Sequence, residues 1–158
     1  FYRYMVSNIM DLGFQEENFI YHSNETTPNF SKMLEDDGLS PEIAAFCWMQ
    51  GEGDTDIMDH IEPYIERYDM LLKDMRAAFE PYFSSDCRFI DAGISEMWND
   101  YDKMNANKKA YALKNGYYFA DTVAAGLTTK NEPEEAPDTA HYDCYDTVKL
   151  GELFAEFI

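Results

Sequence analysis

The chain has 158 residues, of which 46% are hydrophobic and 16% aromatic. These values are typical of one folded domain with its own core and exclude a chain that is disordered throughout. Its 12 basic and 31 acidic residues give a net charge of −19, which repels phosphate and strongly disfavours nucleic acids as partners. Anionic membrane surfaces are disfavoured for the same reason. The sequence shows no signal segment and no apolar run near the roughly 20 residues of a transmembrane helix, so the localisation stays open.

The first half of the chain predicts two helices on either side of a short strand. Apolar residues at helical spacing predict a helix over residues 2–13. Residues 15–39 are mainly polar and without a clear period, which indicates loop or short irregular structure. The apolar run at 43–48 is short enough for a strand buried on both faces. A repeat of apolar residues every three or four positions then predicts a long helix over about 57–79.

The second half predicts two more strands and two more helices. The strands are expected at 87–92 and 117–120, and the helices at about 101–115 and 145–157. An acidic, turn-rich loop over 131–137 precedes the last helix. The predicted inner stripe of that helix consists of Val148, Leu150, Leu153, Phe154 and Phe157. Strands that alternate with helices predict an α/β fold with a parallel sheet between helices, in a single domain over 1–158.

The three cysteines, Cys47, Cys87 and Cys144, are widely spaced and odd in number. Neither a zinc-binding spacing nor a disulfide framework is present. Each cysteine has apolar or aromatic neighbours, so all three are predicted to be small hydrophobic core residues.

The tripeptide Gln50-Gly51-Glu52 directly follows the first predicted strand. Ligands of parallel sheets bind beyond the carboxyl ends of the strands. Gly51 and Gly53 allow a tight turn there, and the Gln50 side-chain amide can donate a hydrogen bond to a developing oxyanion. A capped strand-to-helix turn with no catalytic role is an equally good interpretation of this tripeptide alone.

A second polar block, Asp138-Thr-Ala-His141, lies just before the last predicted helix. The carboxylate can accept one ring N–H of the histidine and leave the other nitrogen to act as a base. The same spacing also occurs where a loop simply begins a helix. The other two histidines, His22 and His60, are predicted to be structural or solvated.

Together, the two blocks resemble a known family. Residues 48–54 read W-x-Q-G-E-x-D and residues 138–141 read D-x-x-H, as in the carbohydrate esterase, sialic acid-specific acetylesterase family of the SGNH (GDSL-like) hydrolase superfamily. The resemblance covers most of 43–158. It implies a three-layer α/β/α sandwich of the flavodoxin-like SGNH type, and an esterase that removes acetyl groups from sugars with a Ser-His-acid triad and neither metal nor cofactor.

The resemblance also implies roles for individual residues. His141 corresponds to the general base and Asp138 to the acid that orients it. Gln50 corresponds to an oxyanion donor, where other superfamily members have an asparagine, and Gly51 shapes its turn.

Two further carboxylates belong to the same family block. Glu52 either braces the site or serves as the helper acid for the histidine, as in some relatives. Asp54 is expected to contact the residues of the site rather than the substrate.

The nucleophile of the family is missing from these residues. It belongs to a G-Q-S-N block after the family's first strand, and none of the serines here lies in such a context; they are Ser7, Ser23, Ser31, Ser40, Ser84, Ser85 and Ser95. Ser95 follows a strand, but in a different loop. The run at 43–48 would also become an unprotected sheet edge. We therefore expect an inactive C-terminal portion of a longer hydrolase, or a partner segment that completes the sheet.

Two other classes of function remain open from the sequence. A non-catalytic glycan-binding or assembly module would keep the fold and use aromatic side chains to stack on sugars; the candidates are Trp48, Trp98, Tyr142 and Tyr145. An acidic metal-binding protein is disfavoured because the carboxylates lack calcium-loop spacing. For the esterase, acetylxylan and acetylated sialic acid are the expected substrates, and the acidic loop at 132–137 favours neutral glycans.

Overall fold

A computed structural model describes residues 35–40, 42–55, 60–129 and 140–158. The predicted helix over 2–13 and the acidic loop over 131–137 lie outside these ranges. The described helices and strands, in chain order, are β1 (Ile43–Met49), α1 (Glu52–Thr55), α2 (Ile61–Phe79), β2 (Phe83–Ala92), α3 (Tyr101–Lys114), β3 (Tyr118–Ala120) and α4 (Cys144–Ala155). A short 3-10 turn, Glu80–Tyr82, joins α2 to β2. The predicted alternation of strands and helices is confirmed.

The three strands form one parallel sheet in the order β1-β2-β3. β2 and β3 are in register from Ile90 opposite Tyr118 to Ala92 opposite Ala120. A parallel pair needs a crossover on one face of the sheet, and α3 supplies it between β2 and β3. The carboxyl ends of the strands, and the loops that follow them, therefore share one edge of the sheet.

One face of the sheet packs against α4. Ile90 and Ala92 of β2 point to this face together with Ala120 of β3, and all three are fully buried. The partly buried residues packed against them are Ala45, Met49, Leu150, Phe154 and Phe157. The last three lie four and three residues apart, which places them on one side of α4 and its C-terminal turn.

The opposite face packs against α2 and α3. Because side chains alternate along a strand, Phe89 and Asp91 point away from α4. The ring of Phe89 lies 5.9 Å from that of Phe46 on β1, and Asp91 meets Lys108 of α3. The rings of Trp48 and Tyr68 stack at 5.9 Å and join β1 to α2. Helices thus cover both faces, as expected for an α/β/α sandwich.

The chain forms two compact units. Of the described residues, one unit contains those up to Ala44 together with Leu71–Cys87. The other contains Ala45–Met70 and Arg88–Ile158, and it carries all the described residues of the candidate site. No helix in the described ranges is long and apolar enough to cross a bilayer.

Three predictions about burial are wrong. Cys47 and Cys144 are exposed rather than in the core. Cys47 lies on β1, an edge strand of the described sheet, and Cys144 is the first residue of α4. β1 is consequently not buried on both faces. Val148 is 63% exposed, because it lies off the side of α4 that carries Leu150 and Phe154.

Candidate active site

The Gln50-Gly51-Glu52 block forms the turn from β1 into α1. Gly51 has a φ of 141°, in the region that favours glycine. It is buried, and a Cβ there would lie 3.2 Å from Cγ of Met104 on α3 and 3.5 Å from Cγ2 of Ile94. The carbonyl of Gly51 accepts the backbone N–H of Asp54 at 3.1 Å. The turn therefore depends on glycine for both its backbone conformation and its packing.

Gly51→Ala is expected to lower the free energy of unfolding by about 1–3 kcal/mol, since it strains φ and overpacks Met104. Urea unfolding of the purified chain measures this. Gly53→Ala is the matched control, because a Cβ at Gly53 would meet nothing within 4 Å; it should be neutral or slightly stabilising. Equal losses of the free energy of unfolding in Gly51→Ala and Gly53→Ala would contradict the described packing of Gly51 against Met104.

The Gln50 side chain is oriented by Asp54. Its Nε2 donates to Oδ2 of Asp54 at 3.1 Å, and Oδ1 of Asp54 lies 3.6 Å from Nη1 of Arg67. In the reverse amide orientation, Oε1 of Gln50 would face the Asp54 carboxylate, and the two groups would repel each other. The contact therefore identifies Nε2 as the amide atom that faces Asp54. An amide nitrogen carries two hydrogens, of which Asp54 takes one. Asp54 is 7% exposed and holds the Gln50 amide through this contact.

The Gln50 backbone carbonyl is held by two side chains from different helices. It accepts the Tyr64 hydroxyl of α2 at 2.9 Å and Nζ of Lys108 of α3 at 2.6 Å. The Tyr64 hydroxyl in turn accepts Nε1 of Trp48 at 3.2 Å. These bonds tie the end of β1 to both helices on that face of the sheet.

Beneath this turn, Asp91 and Lys108 form a buried ion pair. Nζ of Lys108 lies 3.1 Å from Oδ1 of Asp91, and the side chains are 0% and 2% exposed. Burial raises the pKa of Asp91 to about 6, although the Lys108 charge opposes the rise. The negative charge of Glu52 also raises this pKa, which places the Glu52 carboxylate within electrostatic range of the pair.

The loop after β2 is the second part of the site. Asn105 of α3 binds both backbone groups of Ile94, with its Oδ1 2.8 Å from the N–H and its Nδ2 3.0 Å from the carbonyl. The carbonyl of Gly93 accepts the Thr122 hydroxyl at 2.9 Å. Ser95 is 2% exposed, and its hydroxyl accepts the backbone N–H of Met97 at 3.3 Å. Ser95 is therefore a structural residue of this loop.

His141 is exposed, but the residues on both sides of it are anchored to the β2–α3 loop. Nε1 of Trp98 donates to the Ala140 carbonyl at 2.8 Å, and the Tyr142 hydroxyl lies 3.4 Å from the Gly93 carbonyl. Burial raises the pKa of Tyr142 to about 12, and the Glu52 charge adds to the rise. These contacts place the His141 loop beside the carboxyl end of β2.

The helix after His141 begins with a strong cap. Oδ1 of Asp143 accepts the backbone N–H groups of Tyr145 and Asp146, both at 2.9 Å, as N-cap aspartates do. This cap sets where the loop ends and α4 begins. Asp138, the predicted partner of His141, lies outside the described residues.

The Gln50–Glu52 turn and the described residues of the second block, Ala140 and His141, thus lie at the carboxyl edge of the sheet. Gly51 packs toward Ile94, and the neighbouring Gly93 carbonyl accepts the Tyr142 hydroxyl, so the β2–α3 loop contacts both of these segments. Gln50 and Asp54 are in direct contact, whereas the catalytic roles of Gln50, Glu52 and His141 stay predictions. Within the described ranges, no group of three metal-ligating side chains is present.

Sequence reasoning did not assign a supporting role to the residues that hold this edge together, which are Tyr64, Asp91, Trp98 and Lys108. One signal was visible, since Asp91 interrupts the apolar strand Phe89–Ala92, and a carboxylate in a buried strand needs a cationic or hydrogen-bonding partner. The sequence does not say which cation that partner is.

The fold is a parallel α/β sheet between helices, a class in which ligands bind beyond the carboxyl ends of the strands. The family model described as carbohydrate esterase, sialic acid-specific acetylesterase matches residues 14–158. The chain belongs to this family, which confirms the resemblance carried by the two blocks. Neither a curated protein nor a solved structure matches the chain.

Proposed function

We propose that this chain carries most of the site of a carbohydrate O-acetylesterase, a Ser-His-Asp hydrolase that removes acetyl groups from glycans such as acetylxylan or acetylated sialic acid. Membership of a carbohydrate esterase family supports the kind of reaction. The observation that carries the proposal is the Gln50 amide, oriented by Asp54 at 3.1 Å, at the sheet edge that also bears the His141 loop.

In the proposed reaction, a serine hydroxyl attacks the acetyl carbonyl while His141 takes its proton, and Asp138 holds the imidazole. Gln50 donates to the oxyanion of the tetrahedral intermediate. The intermediate collapses to an acetyl-serine, and His141 returns the proton to the departing sugar oxygen. Water, deprotonated by His141, then attacks the acetyl-serine, and the second tetrahedral intermediate releases acetate while His141 returns the proton to the serine oxygen.

The nucleophile in this proposal comes from sequence outside residues 1–158. No G-Q-S-N block occurs within them, and Ser95 is buried and structural. A base, its acid and an oxyanion donor without a nucleophile cannot form the acetyl-serine.

The test compares residues 1–158 with the native protein that contains them. We expect the 158-residue chain to resist labelling by a serine-directed fluorophosphonate and to release no acetate from acetylated xylan. The native protein should be labelled and active on acetylated glycans. Acetate release by the 158-residue chain would contradict the external serine, and a labelled native protein that releases no acetate from any acetylated glycan would contradict the esterase.

The missing nucleophile block also favours a second candidate, a non-catalytic glycan-binding module. One of the four aromatic side chains predicted to stack on sugars is inaccessible, because Trp48 is 1% exposed and stacks in the core on Tyr68. Tyr145 is 70% exposed and remains accessible to a sugar. Glycan binding with no serine labelling of the native protein would favour this candidate over the esterase.

The substrate preference is a separate part of the proposal. Residues 132–137 include three glutamates and directly precede Asp138 in the sequence, and negative charge close to a site repels anionic ligands. We therefore propose neutral acetylated glycans over acetylated sialic acid as the preferred substrates.

A further inference from the structure

Lys108 is a fully buried cation that the proposed reaction does not use. Its Nζ lies 2.6 Å from the Gln50 carbonyl and 3.1 Å from Asp91, and 5.8 Å from the centre of the Tyr64 ring. A buried ion pair is a poor way to stabilise a fold, because apolar residues of the same volume often do as well or better. The contacts of the Lys108 ammonium therefore point to a role other than stabilising the fold.

The ammonium holds the peptide that joins Gln50 to Gly51. A hydrogen bond from a charged donor is shorter and stronger than one from a neutral donor. It polarises the carbonyl and, through the same peptide unit, the N–H of Gly51. The Tyr64 hydroxyl binds the same oxygen at 2.9 Å, so two donors from two helices fix one carbonyl.

Fixing this carbonyl also fixes the side chain that extends from the same residue. The Gln50 amide is held at its far end by Asp54 and at its backbone by Lys108 and Tyr64. Preorganised donors stabilise an oxyanion because they need no reorganisation when the charge develops. A Gln50 that is loose at either end would lose this advantage.

We propose that Lys108, itself held by Asp91, is a positioning residue of the candidate active site: it fixes the Gln50–Gly51 peptide so that the Gln50 amide is preorganised as the oxyanion donor. The catalytic part of this inference rests on the proposed esterase function. The positioning part is a property of the 158-residue chain and is tested without any activity.

The test uses the isotope-labelled 158-residue chain and compares Lys108→Met with Lys109→Met. Lys109 is the next residue, and its ammonium pairs with Asp121 at 3.2 Å at the surface, 51% exposed. Removal of the Lys108 contact should shift the Gly51 amide proton upfield, and should raise the exchange rate of the Asp54 amide, which donates to the Gly51 carbonyl, about tenfold. Lys109→Met should change neither.

Because Lys108→Met leaves Asp91 unpaired and can prevent folding, Asp91→Leu/Lys108→Met serves as a second variant that removes both charges. A purely structural role would raise exchange equally in β3, whereas positioning changes the 51–54 turn selectively. In the native protein, the double variant should lower kcat about tenfold with little change in KM, since an oxyanion donor acts in the transition state.

The outcomes separate this inference from the proposed function. A wild-type native protein without acetylesterase activity contradicts the esterase, while selective loosening of the 51–54 turn still supports positioning by Lys108. An unchanged Gly51 resonance and unchanged Asp54 exchange in the double variant overturn the inference, even where the native protein is an active esterase.

Discussion

On the proposed esterase function, replacing His141 with alanine in the native protein is expected to lower acetate release by about 10²- to 10⁴-fold, the usual contribution of a general base. His141 is exposed, and the contacts of its neighbours Ala140 and Tyr142 anchor the loop. A variant that loses activity while it keeps the wild-type free energy of unfolding separates the catalytic effect from damage to the fold.

The measurements are kcat/KM on an acetylated glycan and urea unfolding of the same preparation. His60→Ala is the control, because His60 directly precedes α2 and uses its backbone carbonyl, which the substitution keeps, to accept the Tyr64 N–H at 3.0 Å. It should leave kcat/KM unchanged. Full activity in His141→Ala, or an equal loss in His60→Ala, would remove His141 from the proposed triad.

The strands and helices were predictable because the spacing of the apolar residues and the length of each apolar segment distinguish a helix from a strand. The end of α2 at Phe79 and the end of α3 at Lys114 agree with the predicted ends within one residue. α3 ends because Gly116 adopts a φ of 70°, which a glycine readily does. β2 begins four residues earlier than predicted, at Phe83, since its polar start at Ser84 and Ser85 hides the strand pattern.

Burial was less predictable than secondary structure. The type of an apolar residue does not indicate whether it lies on the side of a helix or strand that packs against another element. Val148 on α4 and Cys47 on β1 are apolar and nevertheless exposed. Those sides are fixed by tertiary packing, here of α4 against Ile90, Ala92 and Ala120.

For the candidate site, the sequence located the two blocks but not what supports them. Family-like spacing singled out Gln50 and His141, whose catalytic roles stay predictions. Lys108 gives no signal, because it stands among the polar residues Asn107 and Lys109, and its burial follows only from the packing of α3 on the sheet. Supporting contacts between residues far apart in sequence, such as Lys108 with Gln50, depend on the assembled fold.

Lys108→Met is expected to lower the free energy of unfolding by about 3–5 kcal/mol, because it leaves the Asp91 carboxylate buried without its cation. Asp91→Leu should cost a similar amount by leaving the Lys108 ammonium unpaired. The double variant should lie within about 1 kcal/mol of the wild type, since it removes both charges and loses mainly the bond from Lys108 to the Gln50 carbonyl. Urea unfolding of all four chains gives the coupling energy between the two sites.

The pH dependence adds an independent check on the same pair. Burial raises the pKa of Asp91 from 3.8 to about 6, so its ionisation favours the unfolded chain, and its contribution to the free energy of unfolding falls as pH rises between these values. Lys108→Met removes the positive charge that stabilises the ionised Asp91 carboxylate, so ionisation of Asp91 in the folded chain costs more free energy. The loss caused by Lys108→Met should therefore be smaller at pH 5, where Asp91 is largely protonated, than at pH 7. A loss that is the same at both pH values, together with additive single variants, would show that Asp91 and Lys108 do not act as a pair.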